Sequence, residues 1–112
     1  MSGPPSLGLL DWPDPPAHIH FLGICGYAVS GLALACRQLG YLVTGSDEDA
    51  YPPTTTILEA AGIQFAGSHS PDNLRRWGEP HMVVLGNQVQ AGNPELLAAV
   101  EGLPPVSENE VR

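Results

Sequence analysis

The fold is decided by one stretch of sequence, His18-Ile-His-Phe-Leu-Gly-Ile-Cys-Gly-Tyr-Ala-Val-Ser-Gly-Leu-Ala33, in which the spacing of the apolar residues changes. The first half, up to Ile24, is a short apolar run that is typical of a buried parallel strand. The second half carries apolar residues at helical spacing, which predicts a helix over residues 28–39. Gly40 follows where a left-handed cap commonly ends a helix.

Three glycines, Gly23, Gly26 and Gly31, lie where this strand passes into the helix. Glycine permits a tight turn and a close approach to the backbone, and the amides at a helix start point outward beside the positive end of its dipole. The natural ligand is an anion. The spacing Gly-X-X-Gly-X-X-X-X-Gly differs from the usual dinucleotide-binding pattern, so a strand-to-helix turn without any ligand is the alternative.

The composition indicates one folded domain that is strongly acidic. The chain has 112 residues, of which 14% are charged and 43% are apolar. The net charge is −8 and there is no lysine, which argues against nucleic acid or an acidic membrane as a partner. Any bound phosphate must therefore be held mainly by backbone amides.

The cysteines and the absence of long apolar runs indicate a cytoplasmic protein. Cys25 and Cys36 are too few and badly spaced for a zinc site or a disulfide framework, so we predict no metal site. No leader sequence opens the chain, and no apolar run approaches the ~20 residues that a bilayer crossing needs.

Alternation of strand and helix patterns predicts an α/β fold. Further strands are expected over 41–44, 63–66 and 81–85, with a short fifth strand around 105–106. Helices are expected between them, including one that Asn93 caps and that Pro94 and Glu95 open. We therefore predict a Rossmann-like three-layer domain with a mainly parallel sheet of about five strands and helices on both faces.

The two ends of the chain have different patterns. Residues 1–16 are rich in proline, which predicts a tail that is either free or lies against the domain through Trp12 and its apolar neighbours. The folded domain is expected over residues 17–112. The capping-box spacing from Ser107 to Glu110 predicts that another helix begins where the sequence stops.

Polar residues follow the other predicted strands at the edge where ligands bind in such sheets. Asp47 follows the second strand, where related folds bind a ribose hydroxyl, although it also suits a solvated capping turn. His69 follows the third strand and could donate a hydrogen bond to a uracil carbonyl or a phosphate oxygen, or be an exposed loop residue without a role. Asn87 follows the fourth strand.

Residues 18–26, 30–33 and 40–47 resemble the N-terminal domain of Mur ligases, which build the peptidoglycan precursor. Gly23-Ile-Cys-Gly26, Tyr51-Pro-Pro53 and Gly92-Asn-Pro94 look most like the murein peptide ligase branch of that family. The resemblance covers about residues 17–112. It implies a domain that binds the UDP moiety of UDP-N-acetylmuramate for an ATP-dependent amide ligase of cell-wall synthesis or recycling.

The resemblance also implies which residues contact the UDP-sugar. They are Gly23, Cys25, Gly26, Tyr27, Ala28, Ser30, Gly31, Ser46, Asp47, His69 and Asn87. Two of them depart from the related alanine ligase, since Ala28 stands where that enzyme has glycine and Tyr27 is bulkier than usual. Tyr27 is expected to narrow the cradle or to stack on the ligand.

The sequence lacks a Gly-X-X-Gly-Lys-[Ser/Thr] nucleotide loop, so no catalytic residue and no bound cofactor are expected in this domain. The resemblance implies that ATP and Mg²⁺ act in the full-length ligase, whose central and C-terminal domains would be the partners of this one. The residues themselves leave two alternatives open. One is an NAD-binding or regulatory domain that places Asp47 on a ribose, and the other is an interaction module without a ligand.

Overall fold

The computed structural model describes residues 12–86 and 89–102. Strands and helices alternate along this part of the chain. The strands are β1 (His18–Leu22), β2 (Leu42–Ser46), β3 (Gln64–Ala66) and β4 (Met82–Leu85), and the helices are α1 (Tyr27–Gln38), α2 (Thr54–Ala60), α3 (Asn73–Arg76) and α4 (Pro94–Gly102). Over the same residues, no helix has the length and apolarity required to cross a membrane.

The strands form one parallel sheet in the order β3-β2-β1-β4. The α/β prediction is thus confirmed, whereas the sheet shows four strands in the described residues rather than about five. The expected fifth strand around 105–106 and the helix expected from Ser107 lie outside the described residues. Strand order reverses direction at β1, because the chain continues to β2 on one side and returns to β4 on the other.

Helices cover both faces of the sheet, as the alternation of side chains along β4 shows. Met82 and Val84 belong to a core cluster that includes Cys36 of α1 and Leu58 of α2. Val83, together with Leu85, packs in a second cluster with residues of α3 and α4. Successive residues of a strand point to opposite faces, so α1 and α2 cover one face while α3 and α4 cover the other.

The end of the proline-rich segment packs against the domain. Trp12 is only 7% exposed and belongs to the core, where its ring meets that of Tyr41 edge to face at 6.4 Å between centroids. The Tyr41 hydroxyl donates a 2.7 Å hydrogen bond to the carbonyl of Pro13. Residues 12–16 therefore lie against the domain, which is the second of the two predicted possibilities for the proline-rich segment. Residues 1–11 lie outside the described residues.

Gly45 in β2 allows the end of β1 to fold over the neighbouring strand. A Cβ atom at this position would lie 2.6 Å from Cδ1 of Ile24 and 2.7 Å from the carbonyl oxygen of Phe21. The amides of Gly23 and Ile24 both donate to the carbonyl of Ser46, at 2.8 and 3.1 Å. This close approach fixes the glycine-rich turn above the carboxyl end of β2.

His18 gives the domain a predictable acid sensitivity. Burial, with smaller contributions from the charges of His20 and His81, lowers the pKa of His18 from 6.5 to about 4. Between these two pH values His18 therefore binds a proton in the unfolded chain and does not bind one in the folded protein. Folding stability from this residue is fully present above pH 6.5 and is lost as the pH falls toward 4, by about 3 kcal/mol in total.

Urea unfolding at pH 7.5 and pH 4.5 measures this effect. We expect the loss of stability on acidification to be smaller in His18→Gln than in the wild type, because glutamine does not titrate. An equal loss in both proteins would contradict the assignment to His18.

Candidate functional site

A tight turn joins β1 to α1, as the glycine spacing predicts. Gly23 has a φ of 79°, a left-handed conformation that other residues rarely adopt, and its carbonyl accepts a 3.0 Å hydrogen bond from the amide of Gly26. Gly26 is the N-cap of α1, with φ −61° and ψ 148°, and no side chain caps the helix. The turn therefore leaves the amino end of α1 open.

The amides that remain open to a ligand are those of the helix, not those of the glycines. The amides of Gly23 and Ile24 are bonded to Ser46, and the amide of Cys25 donates to Oδ2 of Asp47 at 2.9 Å. The amides of Tyr27, Ala28 and Val29 are the first three of α1, which helix geometry leaves unpaired. They have no acceptor within residues 12–86 and 89–102.

A cleft of about 690 Å³ lies in front of these amides, at the carboxyl ends of β1, β2 and β4. This is the edge of the sheet where the sequence placed the site. Seven of the predicted residues line the cleft: Gly23, Cys25, Gly26, Tyr27, Ala28, Asp47 and His69. The structure adds Val29, Glu48, Asp49, Gly86, Val89 and Gln90 to the lining.

Three predicted residues are not brought to the cleft lining, and a fourth is not described. The Ser30 hydroxyl donates back to the carbonyl of Tyr27 at 3.0 Å. Gly31 lies beyond the first turn of α1, and a Cβ atom there would meet nothing within 4 Å. Ser46 is fully buried below the cleft. Asn87 lies outside the described residues.

Asp47 ties the carboxyl end of β2 to the glycine-rich turn. One carboxylate oxygen accepts from the amide of Cys25 at 2.9 Å and the other accepts from the amide of Asp49 at 2.8 Å. Asp47 therefore makes a local turn of the kind that the alternative interpretation predicted, while it also lines the cleft. Each carboxylate oxygen has a second lone pair, so the group can still accept a hydrogen bond from a ligand hydroxyl.

The cleft is acidic on one side and depends on backbone dipoles for positive potential. Asp47, Glu48 and Asp49 line it, whereas no arginine does so within the described part of the chain. An anion that enters the cleft must therefore lie against the amino end of α1, where the helix dipole and the open amides favour negative charge.

Cys25 is not an activated thiol. Burial, and secondly the negative charge of Asp47, raises its pKa to about 11. A thiol with such a pKa is protonated at neutral pH, and only the thiolate is a strong nucleophile or metal ligand. The contribution of Cys25 to the site is its backbone amide.

A buried carboxylate that sequence reasoning missed lies directly below the cleft. Glu95 of α4 is fully buried and accepts four hydrogen bonds of 3.1 Å or less. The donors are Nε2 of His20 at 2.6 Å, Nδ2 of Asn73 at 2.8 Å, Oγ of Ser46 at 3.0 Å and the amide of Ser70 at 3.1 Å. Burial, the largest single cause, would raise the pKa of Glu95, but the hydrogen bonds from His20, Asn73 and Ser70 together with the charge of His20 outweigh it and lower the pKa.

The sequence contained part of the signal for Glu95. Asn93 caps α4 as predicted, because its Oδ1 accepts from the amides of Glu95 and Leu96 at 2.9 and 3.2 Å. An acid in the first turn of a helix is usually solvated, so the pattern at Glu95 predicts only the start of a helix. The additional signal was His20 beside the apolar Ile19 and Phe21 in a strand predicted to be buried, since a buried polar group requires a partner.

The sequence is similar to a known protein family and to several characterised ligases. The family model described as "Mur ligase family, catalytic domain" matches residues 18–110. UDP-N-acetylmuramate–L-alanyl-gamma-D-glutamyl-meso-2,6-diaminoheptandioate ligase of Escherichia coli (strain K12) is 45% identical over 83 residues, which are 74% of this chain and 18% of that protein. UDP-N-acetylmuramate–L-alanine ligase of Allorhizobium ampelinum is 39% identical over 106 residues, which are 95% of this chain and 20% of that protein.

A solved structure has the same fold. The crystal structure of a murein peptide ligase from Psychrobacter arcticus 273-4 superposes with a TM-score of 0.71 and 41% identity, over 78% of this chain and 18% of that one. The chain thus spans about a fifth of the length of the proteins that it matches. The similarity therefore covers only one part of each of these ligases.

Proposed function

Since the chain belongs to the Mur ligase family, we propose that it binds the UDP moiety of UDP-N-acetylmuramate as the substrate domain of an ATP-dependent amide ligase. The observation that carries the proposal is the set of open amides at Tyr27, Ala28 and Val29, which face a cleft of about 690 Å³ without an arginine among its described lining residues. Such a site suits an anion that backbone donors hold.

The two sides of the cleft suit the two chemical parts of UDP. The diphosphate would lie against the first turn of α1, where the dipole and the amides of Tyr27 to Val29 offset its charge. The uridine would extend toward Asp47 and His69, since a carboxylate can accept hydrogen bonds from ribose hydroxyls. This arrangement keeps the negative phosphates apart from the acidic side of the cleft.

The domain alone would bind and not catalyse. Among the described lining residues, the thiol of Cys25 has a raised pKa and is not an activated nucleophile, and the sequence has no lysine with which to build an ATP loop. We propose that ATP and Mg²⁺ bind to other domains of a longer ligase, which acts in the cytoplasm in peptidoglycan synthesis or recycling. The added amino acid or peptide would be selected outside this domain.

Isothermal titration with UDP and UDP-N-acetylmuramate tests the proposal, and two variants at one position test the amide donors. Tyr27→Pro removes the amide of the first helical residue, a position where proline is well tolerated after an extended Gly26. Tyr27→Ala removes the 98% exposed ring and keeps the amide. We expect UDP to bind Tyr27→Pro roughly tenfold more weakly than Tyr27→Ala, because a hydrogen bond to a charged group is lost.

Three outcomes would contradict the proposal or its geometry. No heat with millimolar UDP or UDP-N-acetylmuramate would reject the binding function. Binding of NADH in place of UDP would favour the dinucleotide alternative. Equal UDP affinities of the two Tyr27 variants would show that the first turn of α1 does not hold the diphosphate.

A further inference from the structure

A hydrogen-bonded chain connects the buried Glu95 to the cleft through Ser46 and His69. The Ser46 hydroxyl lies 3.0 Å from Oε2 of Glu95 and 3.0 Å from Nδ1 of His69. Ser46 and Glu95 are fully buried, whereas His69 lines the cleft. The chain therefore runs from the interior to the surface that a ligand would meet.

The direction of each hydrogen bond in this chain follows from the chemistry of its groups. The pKa of Glu95 is lowered by its donors, so the group is an ionised carboxylate that can only accept. Ser46 has one hydroxyl hydrogen, and it must point to Glu95 because two lone pairs facing each other at 3.0 Å would repel. The hydroxyl can then only accept from His69, whose Nδ1 must carry the proton.

The opposite edge of the His69 ring carries Nε2. This atom has no hydrogen-bond partner within residues 12–86 and 89–102, although His69 lines the cleft. In a neutral imidazole with a protonated Nδ1, Nε2 is an acceptor. The role expected from the sequence, a donor to a carbonyl or phosphate oxygen, therefore does not fit the neutral ring.

We propose that Glu95 acts through Ser46 as a positioning residue that fixes a proton of His69 on Nδ1 and leaves Nε2 open to the cleft, where the ring in its neutral form is a hydrogen-bond acceptor. The ligand group that His69 recognises is then a hydrogen-bond donor and not a phosphate oxygen. This inference rests on the proposed function in one respect, because in UDP the available donors are the imide N–H of uracil and the ribose hydroxyls.

The charges around His69 agree with a role away from the phosphates. Oε1 of Glu95 lies 3.5 Å from Nδ1, and Asp47, Glu48 and Asp49 line the same cleft. All four groups are acidic, so they repel a phosphate near the imidazole while they leave a neutral donor unaffected. The open amides of α1 remain the place for the diphosphate.

The tautomer of His69 can be measured in the free protein by ¹⁵N NMR of the imidazole nitrogens, at a pH high enough for the ring to be neutral. We expect a protonated Nδ1 and an unprotonated Nε2 in the wild type. Ser46→Ala removes the acceptor and is expected to shift the population toward protonated Nε2. Thr44→Val is the matched control, because its hydroxyl contacts His18 and His20 at 2.7 Å and belongs to the same buried network.

Binding measurements then test recognition of a donor. His69→Ala is expected to weaken UDP binding roughly fivefold, the effect of one neutral hydrogen bond. Against the analogue that lacks the recognised donor, which is 3-methyl-UDP, 2′-deoxy-UDP or 3′-deoxy-UDP, wild type and His69→Ala should bind with equal affinity. The analogue for which the difference disappears identifies the donor.

The outcomes separate this inference from the proposed function. A protonated Nε2 in the neutral ring of the wild type would overturn the positioning role, and so would an unchanged tautomer in Ser46→Ala. If the variant does not fold, the wild-type spectrum alone still tests the positioning role. Equal UDP affinities of wild type and His69→Ala would overturn the recognition step while UDP binding stands. If UDP does not bind at all, the proposed function fails and the tautomer still decides the role of Glu95.

Discussion

Glu95→Ala is expected to destabilise the domain by about 3–5 kcal/mol, the range seen when one partner of a buried charge network is removed. The substitution leaves the donors of His20, Ser46 and Asn73 without their acceptor in a site from which water is excluded. Domains of this size are stable by only about 5–15 kcal/mol, so the substitution removes a large share of the free energy of unfolding. Urea unfolding monitored by tryptophan fluorescence measures the change.

Glu101→Ala is the matched control for this experiment. Glu101 lies on the same helix but is exposed, and the same substitution there should change stability by no more than about 0.5 kcal/mol. A loss at Glu95 as small as that at Glu101 would show that the buried network does not hold α4 on the sheet.

The lowered pKa of Glu95 gives the same residue a pH signature. Its folded pKa is below the unfolded value of 4.5, so the stability that it provides is present above pH 4.5 and is lost as the pH falls through the folded value. The Glu95→Gln protein should therefore lose less additional stability than the wild type below pH 4.5. This window overlaps that of His18 only near its lower end, at about pH 4, and the two contributions can be separated with the two glutamine variants.

Gly45→Ala is the second substitution with a large expected effect, about 3 kcal/mol of lost stability and a melting temperature lower by about 10–20 °C. The added methyl group would lie 2.6 Å from Cδ1 and 2.7 Å from Cβ of Ile24, and 2.7 Å from the carbonyl oxygen of Phe21. The oxygen of Phe21 belongs to the backbone and Cβ of Ile24 is bonded directly to it, so a change of side-chain rotamer cannot move either atom away. Relief of the overlap must therefore move the glycine-rich turn away from β2, which differential scanning calorimetry and UDP titration would both detect.

Gly31→Ala is the control with the same chemical change and the opposite expected sign. Gly31 lies in α1, where an added Cβ meets no atom within 4 Å. Alanine should stabilise this helical position by about 0.5–1 kcal/mol. If Gly31→Ala destabilises the domain as much as Gly45→Ala, the loss at Gly45 does not come from overlap.

The site could be located from the sequence because local patterns determine where strands end. The apolar run ending near Ile24, the glycines after it and the spacing of the next apolar residues indicated a strand, a turn and a helix. The same reasoning placed Asp47 and His69 at one edge of a parallel sheet, and both line the cleft. Parallel strands connected by helices bring their carboxyl ends together, so this needed no knowledge of side-chain contacts.

The hydrogen bonds made by the glycine-rich turn itself could not be predicted in the same way. The sequence predicted outward-pointing amides at the start of the helix, and those of Tyr27, Ala28 and Val29 are open, whereas Gly23 and Cys25 use theirs on Ser46 and Asp47, more than twenty residues away in sequence. Which amides remain open depends on these long-range contacts. Only the first turn of α1 is left open by its own geometry.

By itself the sequence determined the order of elements, the glycine-rich turn, the edge of the sheet that carries the site and the acidic balance that leaves anion binding to the backbone. The tertiary structure decided which groups face the cleft and which are buried beneath it. Ser46 became a buried link rather than a lining residue, and Glu95 became its acceptor, because β2 and α4 meet only after the sheet has assembled. Hydrogen bonds between residues 49 positions apart leave no local pattern, since their geometry exists only in the packed state.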